Sequence, residues 1–547
     1  MTASSAAPGP LIPDPIAAGV AAGWRVIDAS TLQADRTLEA DVVIIGSGAG
    51  GGVTAEILAL AGLSVLIVEE GALKSSSHFK MREADAYPAL YQESAARKTR
   101  DKAINILQGR TVGGSTTVNW TSSFRTPTPT LAYWQKNFGL KDYTPEAMAP
   151  WFLMMEQRLN VSTWMTAPNE NNSLLKVGAA RLGIPAAAIM RNVKGCWNLG
   201  YCGMGCPTNA KQSMLVTTIP SALAHGATLV THARAQRLVF KGDAVDHLLC
   251  TALDGGGIVP TGRTLTLRAR HFVVAGGAIN SPGLLLRSQA PNPHGLLGTR
   301  TFLHPTVISA ALFEQRVDGY AGAPQTIYSD HFLETQAIDG PIGYKLEAPP
   351  LHPVLLSTTM AGFGAEHART MRDFAHVHAQ LALLRDGFHA DAAGGTVALR
   401  SDGSPVLDYP LTPYIWDGVR RALLSMAEIQ FAAGAASVLP VHEQATRYPS
   451  WEAARKAINA LPYEPHRTRV VSAHVMGGCG MSDDERLGVT ASDGRYHGVR
   501  NLSVHDGSLF PTAIGANPQL SIYGLAARLA SGLAHGLTGR PAPRVQA

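Results

Sequence analysis

The sequence predicts an α/β fold, a Rossmann-like body on a parallel sheet, interrupted by an inserted α+β region with an antiparallel sheet. Three features carry that expectation. The β-branched run 41–45 (DVVII) leads through a glycine turn at 46–52 into a helical stretch and a second apolar strand, 63–68. Strands apolar throughout are what a parallel sheet covered on both faces requires. Glycine-rich turns return near the middle and the end of the chain, while 302–407 alternates polar and apolar residues between Pro-rich turns, as antiparallel strands do.

The elements follow in order. Residues 1–40 read as an N-terminal arm with one apolar patch, 15–26. After the βαβ unit a second glycine cluster, 109–115, precedes a polar loop. Stretches 131–161 and 174–182 read as helical, and a cysteine-bearing loop precedes another helix at 213–225. Short alternating runs over 229–274 read as strands, 416–433 and 519–533 as helices, and 539–547 as a loose tail.

A chain of 547 residues exceeds one ordinary core and calls for two or three domains or a large composite body. With 46% hydrophobic and 16% charged residues, a large buried core is expected and wholesale disorder is not. The net charge of +5 comes without any basic run interleaved with aromatics, so no nucleic-acid partner is expected. No apolar stretch reaches the roughly 18 residues of a membrane span. Residues 1–15 lack a basic n-region, an apolar h-region and a twin-Arg pair. A cytoplasmic location follows as the simplest expectation, with peripheral membrane association or export on a partner's signal left open.

Gly46-Ser-Gly48-Ala-Gly-Gly51 satisfies GxGxxG, follows a strand and opens a helix. Gly46 permits the tight turn, Gly48 lets backbone approach a pyrophosphate, and Gly51 lets helix pack on strand. The helix N-terminus offers free N–H groups to phosphates. Glu69, 18 residues beyond Gly51, closes the next strand, where a carboxylate accepts both hydrogen bonds of an adenosine ribose diol. This motif alone does not separate FAD from NAD.

The rest of the chain resembles a known family. Gly109-Arg110-Thr-Val-Gly113-Gly114-Ser115-Thr-Thr-Val118-Asn119 is similar to the first signature of the glucose–methanol–choline (GMC) oxidoreductases, and 277–285 (GAINSPGLL) to the second. His474-Val-Met-Gly477 and 501–528 resemble the family's C-terminal catalytic block. The resemblance implies FAD, and places Arg110, Gly113, Gly114, Ser115, Asn119, Asp506, Gly507, Asn517 and Pro518 at the cofactor. Some members carry a flavin-linked His just before the Asn; here that position is Val118, so a dissociable, non-covalent FAD is expected. The implied division gives the FAD-binding domain 41–130, 214–301 and 470–538, and the substrate or cap domain 131–213 and 302–469.

Oxidising an alcohol requires a base for the hydroxyl proton while hydride leaves carbon for flavin N5, and a neutral His serves best. By resemblance His474 holds that place, and Asn517 its partner position, where an amide donates to the substrate oxygen. His304, in a Leu-His-Pro run, reads as structural. The implied partners are a small-molecule alcohol and an electron acceptor: oxygen, a quinone or a cytochrome. The leader and the loop ending at 210–213 look most like bacterial members related to long-chain alcohol oxidases, which points to an apolar alcohol. A redox-neutral lyase and a non-catalytic flavin scaffold are the alternatives.

Of five cysteines, Cys196, Cys202 and Cys206 crowd into one loop as C-x5-C-x3-C-P, which is no disulfide framework. The spacing resembles that of a bacterial FAD glucose dehydrogenase group in which such a trio holds a 3Fe–4S cluster. A cluster, a zinc site with outside help, and a metal-free packed or disulfide-linked loop are all open on sequence.

Overall fold

A computed structural model describes residues 12–545. Residues 1–11, part of the segment read as free of export signals, and the last two residues of the expected tail lie outside that range.

Two eight-stranded sheets organise the chain. In the first, Arg25–Asp28, Thr228–Thr231, Val65–Val68, Arg36–Ile45 and Pro260–Val274 lie side by side in parallel, and Leu502–Val504 joins the last of them, also in parallel. Ala244–Leu253 and Ala233–Lys241 extend this sheet antiparallel. Val65–Val68 is buried at every position, and Ala49–Leu60 packs on this sheet with Gln519–Thr538 and Thr218–Ala224 against it. The fold class is therefore α/β with a Rossmann-like core. Arg25–Asp28 lies within the segment read as an arm, and it forms the sheet's edge strand. A four-residue strand after the short helix Pro15–Ala21 leaves little periodicity to detect.

The second sheet centres on Thr306–Leu312 and Val377–Leu384, paired antiparallel, with Tyr344–Glu347 and Ile327–Ser329 beyond. Its other side takes Val470–Ser472, which pairs in parallel with Ile104–Ile106. Segments near both ends of the chain thus enter the sheet built mainly from its middle. The 21-residue helix Pro413–Ala433 packs behind it through an apolar face that includes Val419, Leu423 and Met426. Two helices, Pro353–Thr359 and Gly364–Arg372, interrupt the stretch read as all strand. Among the described residues no helix is long and apolar enough to cross a membrane.

Close backbone approach fixes how the first sheet meets its helix. A Cβ at Gly51 would overlap the Gly46 carbonyl oxygen, and one at Gly50 would overlap that of His505. The helix Ala49–Leu60 can lie this close to strand and C-terminal block only without side chains there. Gly51→Ala is expected to push the helix outward and destabilise the protein by about 2 kcal/mol or more, the scale of core overpacking. A thermal or denaturant melt measures it.

Candidate active site

One cavity of about 1110 Å³ draws its wall from both sheets. Gly46, Gly48 and Glu69 contribute from the βαβ unit, and Gly114, Ser115, Val118 and Asn119 from the second glycine segment. Gly276, Gly277, Asp506 and Gly507 follow, then His474, Asn517 and Pro518. Most residues singled out from sequence therefore share one surface, although they are spread over more than 470 positions of chain. Gly51, Arg110 and Gly113 do not line it. Gly51 and Gly113 are packed behind the wall. Arg110 turns away, donating to the Gly257 carbonyl and lying 3.7 Å from Glu70, so its guanidinium is spent on protein.

The glycine end is shaped as a cradle. Gly48 begins the helix Ala49–Leu60 without a side-chain cap, leaving first-turn N–H groups open. A Cβ on Gly48 would meet only Gly114 Cα, at 3.8 Å, and one on Gly277 only Gln108, at 3.9 Å, so both positions border open space. Glu69 Oε2 accepts from Ser47 Oγ (2.6 Å) and N (3.2 Å), and Oε1 from Gly71 N (2.9 Å). Burial pushes its carboxyl above the usual range, and these donors oppose that. Asp506 clamps two signatures together: it accepts from Gly277 N (2.8 Å) and Ser281 Oγ (2.5 Å), and caps its own turn through Ser508. Asn119 donates to Gln519 Oε1 at 2.6 Å. An uncapped helix start, two open glycine positions and a fixed carboxylate fit an extended dinucleotide such as FAD.

His474 stands two residues beyond the strand Val470–Ser472, and Asn517 just before the 20-residue helix Gln519–Thr538. Burial, with the Lys345 ammonium second, pushes the His474 imidazole down to about 3, so it is neutral near pH 7. His304 is more than the structural residue expected from sequence. Its Nδ1 lies 3.1 Å from His474 Nδ1, and its backbone sits at φ +50°, held by Asp386, whose carboxylate accepts from Leu303 N and His304 N. With Nδ1 so engaged, Nε2 is the nitrogen of His474 left for other partners. Asn517 Nδ2 donates to the buried carboxylate of Glu347 (3.3 Å). Glu347 and Lys345 went unnoticed in the sequence. The available signal was two opposite charges two residues apart in an otherwise apolar strand.

Cys196, Cys202 and Cys206 are not gathered into a metal-binding group in this structure. Among the described residues no group of three or more His, Cys, Asp or Glu side chains could hold a metal ion. The thiols are engaged separately: Cys196 with Asn198 N, Cys202 with Arg191 (3.8 Å), Cys206 with Thr208 and Lys211 N. Two cationic side chains stand against the loop, since Lys211 Nζ also donates to the carbonyls of Thr117, Asn119 and Cys202. Of the alternatives open on sequence, this arrangement gives a cluster no support.

Comparison with known proteins decides the family. Two GMC oxidoreductase family models match residues 87–306 and 390–526. The chain belongs to the GMC oxidoreductase family. This GMC oxidoreductase is an FAD-dependent enzyme. It is 32% identical to an uncharacterized GMC-type oxidoreductase of Mycobacterium tuberculosis over 498 residues, covering 90% of this chain and 75% of the relative. It is 26% identical to a long-chain-alcohol oxidase of Arabidopsis thaliana, covering 89% of this chain and 66% of that one. The fold is shared with pyridoxine 4-oxidase from Mesorbium loti at TM-score 0.66 and 16% identity, covering 90% of this chain and 99% of the other. Formate oxidase of Aspergillus oryzae aligns at TM-score 0.63 and 15% identity, covering 91% and 98%.

The open side of Gly48 separates two kinds of glycine. Its φ of −70° suits any residue, so Gly48→Val should fold but fill the cradle. Expected is a protein with near-unchanged melting of the apo form and FAD affinity lower by about 10²-fold, roughly 3 kcal/mol. Flavin content after gel filtration and a melt of apoprotein check both.

Proposed function

We propose that this enzyme oxidises an apolar alcohol to an aldehyde or ketone, with His474 as general base and Asn517 donating to the substrate oxygen. The observation that supports it best is the shared wall: His474 and Asn517 line the same cavity as the glycine cradle. Bound in the cradle, with Val118 offering no nucleophile for a covalent link, FAD would supply the hydride acceptor. Neutral His474 takes the hydroxyl proton on Nε2, and Nδ1 rests against His304. The N-terminus of the helix Gln519–Thr538 faces the cavity through Pro518 and Gln519, so its dipole favours negative charge there.

Beyond His474 the wall turns apolar. On the second sheet the register pairs Thr306 with Leu383, Ile308 with Leu381 and Ala310 with Ala379, and all six line the cavity. The four steps from Thr306 to Ala310 give a groove about 14 Å long. Leu351, Val354, Leu355, Leu356 and Met360, on and around the helix Pro353–Thr359, complete the wall. A groove of this length and polarity suits an alkyl chain. That agrees with the long-chain-alcohol oxidases among the relatives, whose name also favours oxygen as acceptor, with a quinone or cytochrome as the alternatives. The reading assigns FAD to 41–130, 214–301 and 470–538, and the alcohol's chain to 302–469.

Anaerobic mixing with primary alcohols should bleach the flavin near 450 nm (about, as for oxidised flavins); a redox-neutral lyase would leave it yellow. His474→Ala should slow bleaching by about 10²-fold or more with FAD retained, whereas a non-catalytic scaffold would be indifferent. Each added methylene should raise kcat/KM up to about fourfold, equivalent to about 0.8 kcal/mol per buried CH₂, until the groove is filled. Ala310→Trp should remove that gain for long chains and spare short ones. Equal rates for all chain lengths would contradict the groove.

A further inference from the structure

Asn517 can hold a substrate oxygen only if its amide nitrogen, not its carbonyl oxygen, is turned to it, and the two ends differ by a simple flip. The side chain packs against Glu347, the last residue of the strand Tyr344–Glu347. Glu347 is wholly buried and accepts from Gln325 Nε2 (2.5 Å) and Asn517 Nδ2 (3.3 Å). Asn517 Oδ1 is buried and has no hydrogen-bond partner among the described residues. A carboxylate accepts and cannot donate, so it repels an amide oxygen and fixes the NH₂ group on its own side.

The charge of that carboxylate has a counterpart. Lys345, two residues back and on the same face of the strand, is also wholly buried. Its Nζ has no hydrogen-bond acceptor among the described residues. It lies 3.2 Å from the Phe124 ring centre, 4.0 Å from that of Tyr328 and 3.3 Å from Asp330 Oδ1, an ion pair without hydrogen-bond geometry. A buried ammonium this poorly satisfied is costly; Asp330 is its ion-pair partner, and the Glu347 carboxylate adds a second, longer-range attraction.

We propose that Glu347 is a positioning residue, whose ionised carboxylate locks the Asn517 amide so that one N–H faces Glu347 and the other faces the substrate oxygen. This rests on the assignment of Asn517 made above. When Glu347 is protonated its O–H can serve Oδ1, the flip loses its preference, and an amide oxygen then competes with His474 for the single hydroxyl proton. Burial pushes the Glu347 carboxyl up, while Lys345, Gln325 and Asn517 hold it down; Asp330 is the other acidic group nearby. Activity that needs the carboxylate is present above its folded pKa and lost as pH falls through it. That limb lies above the ordinary carboxylate value, well clear of His474, which is charged only near 3.

The experiment is a double-mutant cycle on the rate of anaerobic flavin reduction, with FAD content and melting temperature recorded for each protein. Glu347→Gln should slow reduction about tenfold with FAD retained, Asn517→Ala should slow it more, and the double variant should match Asn517→Ala, because Glu347 acts only through that amide. The acid limb of the wild-type profile should vanish in Glu347→Gln and in Asn517→Ala. Should Glu347→Gln not fold, the profile of Asn517→Ala carries the test alone. Wild-type rates in Glu347→Gln, effects that multiply in the double variant, or an acid limb surviving in Asn517→Ala would each overturn the proposal. Wild-type rates in Asn517→Ala would overturn the role of Asn517 as well, whereas absence of bleaching with any alcohol would overturn the proposed reaction itself.

Discussion

The structure depends on backbone meeting backbone without side chains between. At one seam the turn after Arg36–Ile45 lies against Ala275, the helix start against His505, and Gly114 against Gly48. These segments come from the first, second, third and last parts of the chain. Their contact defines the first sheet's active edge, and it leaves beside itself a trough of N–H groups with no Cβ to fill it. A dinucleotide phosphate is the size and charge that such a trough accommodates. The same constraint builds the C-terminal block into the fold: Leu502–Val504 completes the parallel sheet, and Asp506 ties it to the helix Asn280–Arg287 through Ser281.

The second sheet supplies what the first cannot. Its strands offer one face to the cavity and the other to the helix Pro413–Ala433, so apolar residues occur on both. The strand Val470–Ser472 lies between Ile104–Ile106 and Thr306–Leu312, and His474 leaves that strand at the end of the groove where Thr306 begins. This places the His474 imidazole where the apolar wall gives way to the polar cradle. Function at this site is a matter of where two sheets with different surfaces meet.

Legibility in the sequence followed length and repetition. The βαβ unit was readable because its strands are apolar throughout and its glycines are spaced by the helix they open. His474 and Asn517 were readable from flanking motifs, since neither residue type alone points to catalysis. Three- and four-residue strands such as Arg25–Asp28 and Ile104–Ile106 carry too few positions for a period, and their sheet partners lie far along the chain. Arg110 matched a signature by position, but only the fold shows Glu70 and Gly257 claiming its charge. The cysteines matched by spacing, which says nothing of where three sulfurs point. Lys345 and Glu347 were hidden for a different reason: a strand with charges at alternate positions reads as half exposed, and here both charges are inside.

Those buried charges bear on how weak a base the site can use. A cation that lowers the proton affinity of His474 lowers that of any hydroxyl held near it, because the same field acts on imidazolium and stabilises alkoxide. Burial, the larger cause of the depression at His474, works against imidazolium and alkoxide alike, so only the Lys345 share of the shift favours proton transfer. In the proposed reaction that field would stabilise the negative charge that develops on the substrate oxygen as its proton leaves. Glu347 then has an electrostatic reason to lie behind Asn517 rather than beside His474. It partly neutralises Lys345 across the strand, while keeping a carboxylate out of contact with the developing alkoxide, with the amide standing between them.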